Sequence, residues 1–374
     1  MLDLTDIPII DNHAHNILKP EFASEYSYGS SFTEAKDEIM LASHSPSSLC
    51  YRRSLRNISE LLGCENQESA ILKVRKELGL ENLTKLCIDR GNIETIILDD
   101  GFLPEKILPV SWHEQFASIH RVIRLEMLAE NLFTQTDHFD DFIEQFRTHL
   151  LSTPKNVVGF KSISAYRSGL AIELVSERGA KSCFRLLKEL SRNQPFRLNN
   201  RALIDFILLQ ALDVASQKQM PIQFHTGFGD RDLDLSLANP LHLRLILEDD
   251  RFENAPIVLL HAGYPYSKEA GYLASVYPQV YVDFGLAVPF LSVAGMKDTV
   301  SNLLHLSPTS KILYSSDAHL IPELYYLGSL WGRKILTQVL ETSINDGDLT
   351  PVEAEEVALQ ILRENSQKLY QINN

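Results

Sequence analysis

Short apolar runs recur along the chain. Each is stopped by polar or small residues, and between them the apolar positions fall at helical spacing. The runs cover residues 7–13, 95–98, 121–126, 157–161, 221–225, 257–261, 280–284 and 311–317. They have strand length, and the near-continuous apolar character of several fits parallel strands buried on both faces. The intervening stretches 31–42, 47–62, 68–78, 137–151, 180–190, 201–217, 240–247, 266–276, 322–341 and 351–365 read as helices. Leu55, Ile58, Leu61 and Leu62, for example, share one helical face. Ser47 and Asn66 are the expected N-caps, and Pro322 and Pro351 fall where a first helical turn tolerates proline.

Eight strands separated by helices predict an α/β fold, a (β/α)8 TIM barrel, as one domain over residues 1–374. A plain barrel needs about 250 residues. The surplus falls in a helical insertion after strand one, residues 17–90, and a smaller one after strand four. A structureless loop as long as the first would be improbable, so it reads as a helical lid or subdomain. An open doubly wound sheet is the alternative fold. It is disfavoured because the first strand is not followed by a glycine-rich phosphate loop.

Composition narrows the function classes. The chain has 374 residues, 44% of them hydrophobic, and a net charge of -14, which argues against a nucleic-acid footprint. Cys50, Cys64, Cys87 and Cys183 are scattered without a CxxC pair, so neither a zinc knuckle nor a disulfide scaffold is indicated. No run approaches the ~20 apolar residues of a membrane span, and the first residues do not form a signal peptide. A cytoplasmic protein with a small-molecule substrate is expected, with self-association left open.

The candidate chemistry lies where the apolar runs stop. His13 and His15, Lys161, His225, His261 and Asp317 each sit at the C-terminal end of an expected strand. His13 and His15 alternate and so project to one face, an arrangement that suits zinc or a similar metal. In a barrel those strand ends form one ring that carries the active site. Any one of these histidines is more readily a satisfied core residue. Their joint placement at strand ends is much harder to obtain by chance.

Asp11-Asn12-His13-Ala14-His15, Gln223-Phe224-His225-Thr226-Gly227, Leu260-His261-Ala262-Gly263 and Ser315-Ser316-Asp317-Ala318-His319 together resemble the amidohydrolase superfamily. The order HxH, Lys, His, His, Asp spans nearly the whole chain. Within the superfamily the chain is similar to the amidohydrolase-related group, which also contains metal-dependent decarboxylases. The runs 159–170 and 261–266 resemble the amidohydrolase-like domain that nodulin- and FluG-type proteins carry ahead of a glutamine-synthetase domain. The expectation is such a barrel without the synthetase domain.

The resemblance implies that His13, His15 and His225 hold a metal with Asp317 as carboxylate ligand, and that Asp317 shuttles the water proton. His261 would ligate a second metal or hydrogen-bond the attacking water. One zinc is expected, with manganese as an alternative. A binuclear site bridged by carbamylated Lys161 is the less favoured form. An unmodified Lys161 would pair with a substrate carboxylate or with Glu126. Arg124 and Glu126 alternate on the third strand and Arg167 follows the fourth. Arginine grips carboxylates in bidentate fashion, so Arg124 and Arg167 are substrate-binding candidates, while an Arg124–Glu126 ion pair that merely supports the barrel is equally open. Gln223, Tyr264, Asp283 and His319 are further candidates for the pocket wall, and Arg52 and Arg53 of the insertion are placed to reach in. Three functions remain. The first is metal-dependent hydrolysis of a C–N or C–O bond in an amide, lactone or amino-acid derivative. The others are non-oxidative decarboxylation with the same ligands and non-catalytic binding.

Overall fold

The computed structural model describes residues 2–191 and 196–372. The fold is a parallel (β/α)8 barrel. Its eight strands follow chain order in one sheet: β1 (Ile9–Ala14), β2 (Ile93–Asp99), β3 (Ser118–Arg124), β4 (Val157–Ser162), β5 (Ile222–Phe224), β6 (Ile257–Leu259), β7 (Val280–Asp283) and β8 (Ile312–Leu313). The chain divides into two compact units, one of Met1–His120 with Asp283–Asn374 and one of Arg121–Val282. Among the described residues no helix is long and apolar enough to cross a membrane.

In the first unit β1 is buried along its whole length and pairs in parallel with β2. The segment after β8 runs beside β1. The Asn12 N–H donates to the Tyr314 carbonyl (3.1 Å), the Asp317 N–H to His13 (3.0 Å) and the His15 N–H to Ala318 (2.7 Å). Side-by-side backbones thus bring the HxH residues and Asp317 together.

Three helices lie between β1 and β2: Leu49–Leu62, Glu68–Leu78 and Leu80–Gly91. The last was not anticipated. The first starts at Ser48, whose side chain accepts from the Tyr51 N–H, and stops at Gly63 with φ +65°. The N-caps are therefore Ser48 and Gln67 rather than Ser47 and Asn66. Ser47 instead donates its hydroxyl to the His44 carbonyl. The expected helix over 31–42 does not form. That stretch holds the end of a 3-10 turn (Tyr28–Phe32) and the start of a π turn (Met40–His44). Thr33 accepts from the Ala35 N–H, and Asp37 accepts from Ile39 and Met40. Such local side-chain bonds compete with the helical ladder.

The chain's end is helical. Pro322 is the N-cap of Glu323–Asp346, and Pro351 opens Pro351–Leu359 inside a Thr350–Glu353 capping box. A π turn at Gln360–Glu364 interrupts the expected final helix. Val293–Leu304 is a helix that the apolar pattern did not reveal.

In the second unit β3 to β7 pair in parallel, with Arg124 beside Lys161 and Lys161 beside Gln223. Phe133, Phe142 and Phe184 make edge or tilted ring contacts 5.0–6.5 Å apart under the helices that flank these strands. Each such buried side chain contributes about 1.5–3 kcal/mol. β3 ends at Arg124 and the helix Leu125–Gln135 begins at once. Glu126 therefore lies in the first turn of a helix, where an acidic side chain is favoured, and does not alternate with Arg124 on a strand. Several strands are shorter than expected. His225 lies one residue beyond β5, His261 two beyond β6 and Asp317 four beyond β8.

Candidate metal centre

The first unit brings His13, His15 and Asp317 together. His13 Nε2 lies 3.2 Å and His15 Nε2 3.4 Å from the same oxygen, Asp317 Oδ1. The His15 Nδ1 is 2.9 Å from the Asp99 carbonyl. A carbonyl only accepts, so Nδ1 carries the ring proton and Nε2 keeps its lone pair. A lone pair and a carboxylate oxygen then face each other across 3.4 Å. A cation or proton between them relieves that repulsion. Two donor atoms bonded to one ion at about 2.0–2.2 Å stand roughly 2.8–3.6 Å apart, the short end for octahedral and the long end for tetrahedral geometry. The observed separations fit. Asp99 itself, buried at the end of β2, joins His13 and His15 in a group whose donor atoms all lie within 4.8 Å of one another. Asp99 was not among the candidates expected from the sequence. Its position at a strand's C-terminal end was the available signal.

The backbone at this point is unusual. Asp317 has φ +52°, a left-handed conformation that non-glycine residues seldom adopt and that concentrates at functional sites. It is held from behind. Asp11 accepts from the Ser316 N–H (2.9 Å) and from the Ser316 hydroxyl. Burial, opposed by those Ser316 bonds, pushes the Asp11 carboxyl up to about 7. Asp283 accepts from Asn12 Nδ2 (3.0 Å) and Ser315 Oγ (2.7 Å), so it ties β1 to the segment after β8. His319 donates its Nδ1 proton to the Asp317 carbonyl (2.9 Å), and burial pushes its pKa down.

The second unit pairs the other two histidines. His261 Nε2 lies 3.1 Å from His225 Nδ1, and His225 Nε2 lies 3.1 Å from the Phe228 carbonyl. That carbonyl fixes the proton on Nε2 of His225 and leaves Nδ1 as its lone pair. His261 and Ala262 have φ +65° and +55°. The turn is tight, and a Cβ on Gly227 would stand 2.3 Å from the Tyr264 carbonyl oxygen.

Lys161 is only 2% exposed. A buried ammonium is costly without compensation. Glu126 is fully buried; its Oε1 accepts from the Ser162 hydroxyl (2.7 Å) and the Ile163 N–H (3.0 Å). Burial pushes its pKa up, against those bonds and Arg124. Arg167 is half-buried beside Glu130 (3.2 Å) and Asn199 (3.2 Å). Arg53 does not reach toward a pocket: it donates to the Pro289 carbonyl and to that of Leu291 (3.0 Å).

A family model described as Amidohydrolase matches residues 173–372, more than half of the chain. The chain belongs to the amidohydrolase family, whose fold is that of metal-dependent hydrolases. Among individual proteins, it is 29% identical to Protein fluG of Emericella nidulans over 98% of its own length. It spans 46% of that relative. A provisionally assigned metal-dependent hydrolase from Lactobacillus casei ATCC 334 superposes with a TM-score of 0.87 at 28% identity, covering 98% of this chain and 96% of the other. A uronate isomerase from Bacillus halodurans C-125 superposes with a TM-score of 0.68 at 14% identity, over 99% and 94% of the two chains. That likeness is one of fold alone.

Proposed function

We propose that this protein hydrolyses a C–N or C–O bond in a small, carboxylate-bearing molecule, using a water activated by one divalent metal, zinc or else manganese. The observation that carries the reading is the convergence of His13 Nε2 and His15 Nε2 on Asp317 Oδ1 at 3.2 and 3.4 Å. A divalent ion bound by such donors makes hydroxide available near neutral pH. His13, His15 and Asp317 are its proposed ligands, with His225 and His261 as those that the family resemblance adds.

The chain's own residues supply the rest. The Asp99 carbonyl keeps the His15 proton on Nδ1 and so keeps Nε2 available as a donor. Asp317 accepts the water proton at its carboxylate and passes it to the leaving group. Arg124 and Arg167, with Lys161, orient the substrate carboxylate. Glu126 holds the start of the loop after β4 through Ser162 and Ile163.

The test is a screen of amides and lactones with the metal-loaded protein, run beside a panel of carboxylic acids monitored for carbon dioxide. Metal-dependent hydrolysis is expected. Carbon dioxide release without hydrolysis, or a fully loaded protein inert on both panels, would overturn the reading.

A further inference from the structure

Two half-buried phenylalanines in the first unit stand against the histidines nearest Asp317. Phe102, on the loop after β2, packs on His15 with ring centroids 5.3 Å apart and meets His319 edge-on at 6.4 Å. Phe290 approaches His319 at 6.3 Å. His319 therefore contacts one ring on the loop after β2 and one at the end of the short helix Ala287–Phe290, while its Nδ1 is tied to the Asp317 carbonyl.

Both segments are firmly held. The Phe102 loop is pinned because Asp99 accepts from the Gly101 N–H (3.1 Å) and offers its carbonyl to His15. Phe290 is held more tightly still. Arg53 donates to the carbonyls of Pro289 and Leu291, the residues on either side of it, while its guanidinium lies 4.8 Å from the Trp331 ring centroid. A buried arginine of the helical insertion is thus committed to fixing the backbone around one partly accessible aromatic ring. Rings held rigidly beside a polar centre, with part of their surface uncovered, are the usual lining of a small-molecule pocket.

We infer that Phe102, Phe290 and the ring of His319 form an aromatic subsite, and that the group of the substrate next to the bond being broken is a planar aromatic ring. Arg53 is a positioning residue for that subsite. The inference rests on the hydrolase reading for its chemistry but not for its test, which reads binding.

Benzoate and cyclohexanecarboxylate are titrated by calorimetry into the metal-loaded protein. The two share a carboxylate and differ in the flatness and π-system of the ring. Taking away one aromatic partner weakens binding by up to about tenfold. Benzoate is expected to bind roughly tenfold tighter to the wild type, on the same scale of ring–ring attraction. The gap should close in a Phe102→Leu/Phe290→Leu double variant whose metal content is unchanged. Arg53→Ala should narrow the gap without altering metal content. Equal binding of the two acids by the wild type, no binding of either, or a gap that survives the double variant would overturn the inference. A double variant that loses metal is replaced by Phe290→Leu alone, which touches no proposed ligand, and the same comparison decides. Inertness on the amide and lactone panels with the benzoate preference intact would sink the hydrolase reading and leave the subsite standing.

Discussion

The histidines after β1 and those after β5 and β6 are alike in residue type and differ in what faces them. His13 and His15 face a carboxylate oxygen, with the His15 proton turned away to the Asp99 carbonyl. His225 and His261 meet at 3.1 Å, where a proton on His261 Nε2 is donated to the lone pair of His225 Nδ1. The first group concentrates electron pairs and calls for a cation. The second can stand as a neutral hydrogen-bonded pair. The two motifs look equivalent in the sequence; what separates them is the carboxylate oxygen 3.2 and 3.4 Å from the first pair and the imidazole–imidazole contact of the second.

That contrast ranks the experiments. The largest effect is expected at Asp317. Replacement by Asn keeps the shape and removes the basicity, and loss of a general base costs typically 10²–10⁴-fold in turnover. Rate, metal content and thermal unfolding are measured together; a folded, metal-loaded variant as fast as wild type would remove Asp317 from the chemistry. Next come the ligands. His13→Ala should weaken metal binding by more than about 100-fold, beyond the 10–100-fold typical of losing an outer partner. His225→Ala should also lower metal affinity, but by less. Competition with a chelator measures both, and a larger loss at His225 would reverse the contrast. A smaller effect is expected behind the first group. Ser316→Ala removes a hydroxyl from the buried Asp11 carboxylate, which should cost about 1–3 kcal/mol of stability in denaturant unfolding. A variant as stable as wild type would mean that the Asp11–Ser316 contact does not brace the strand.

Much of this was legible from residue order. The apolar runs that end in His13, His225 and His261 announce parallel strands because a strand buried on both faces has few polar residues until it stops. Helix 68–78 emerges with the bounds expected of it. Other features depend on what the sequence does not display. Asp37 and Thr33 break the 31–42 helix through their own side-chain bonds. Glu126 belongs to a helix because the chain turns directly from β3 without a loop. The sequence placed Asp317 among the ligand candidates, but its left-handed backbone and its Asp11–Ser316 support are products of packing. Phe102 and Phe290 carry no motif at all; only their ring contacts mark them.

The finest discrimination between the units is in their response to acid. In the first, His113 is buried and accepts from the Ile17 N–H (3.1 Å), two residues beyond His15. Burial pushes its pKa down to about 4. The unfolded chain takes up that proton first, so the stability due to His113 is complete above its ordinary value of roughly 6.5 and is lost as pH falls toward 4. In the second unit Asp205 accepts from the Glu173 N–H (3.1 Å), and burial pushes its carboxyl up to about 6. The folded state now holds the proton more tightly, so the contribution of Asp205 is complete below about 3.9 and is lost as pH rises through 6. The two slopes oppose each other between about pH 4 and 6, the interval the two shifted groups share. Thermal unfolding of His113→Gln and Asp205→Asn across that interval separates them. Relative to wild type, the first variant should lose less stability on acidification and the second more. The same slope change in both variants would show that these two groups do not set the acid response of their units.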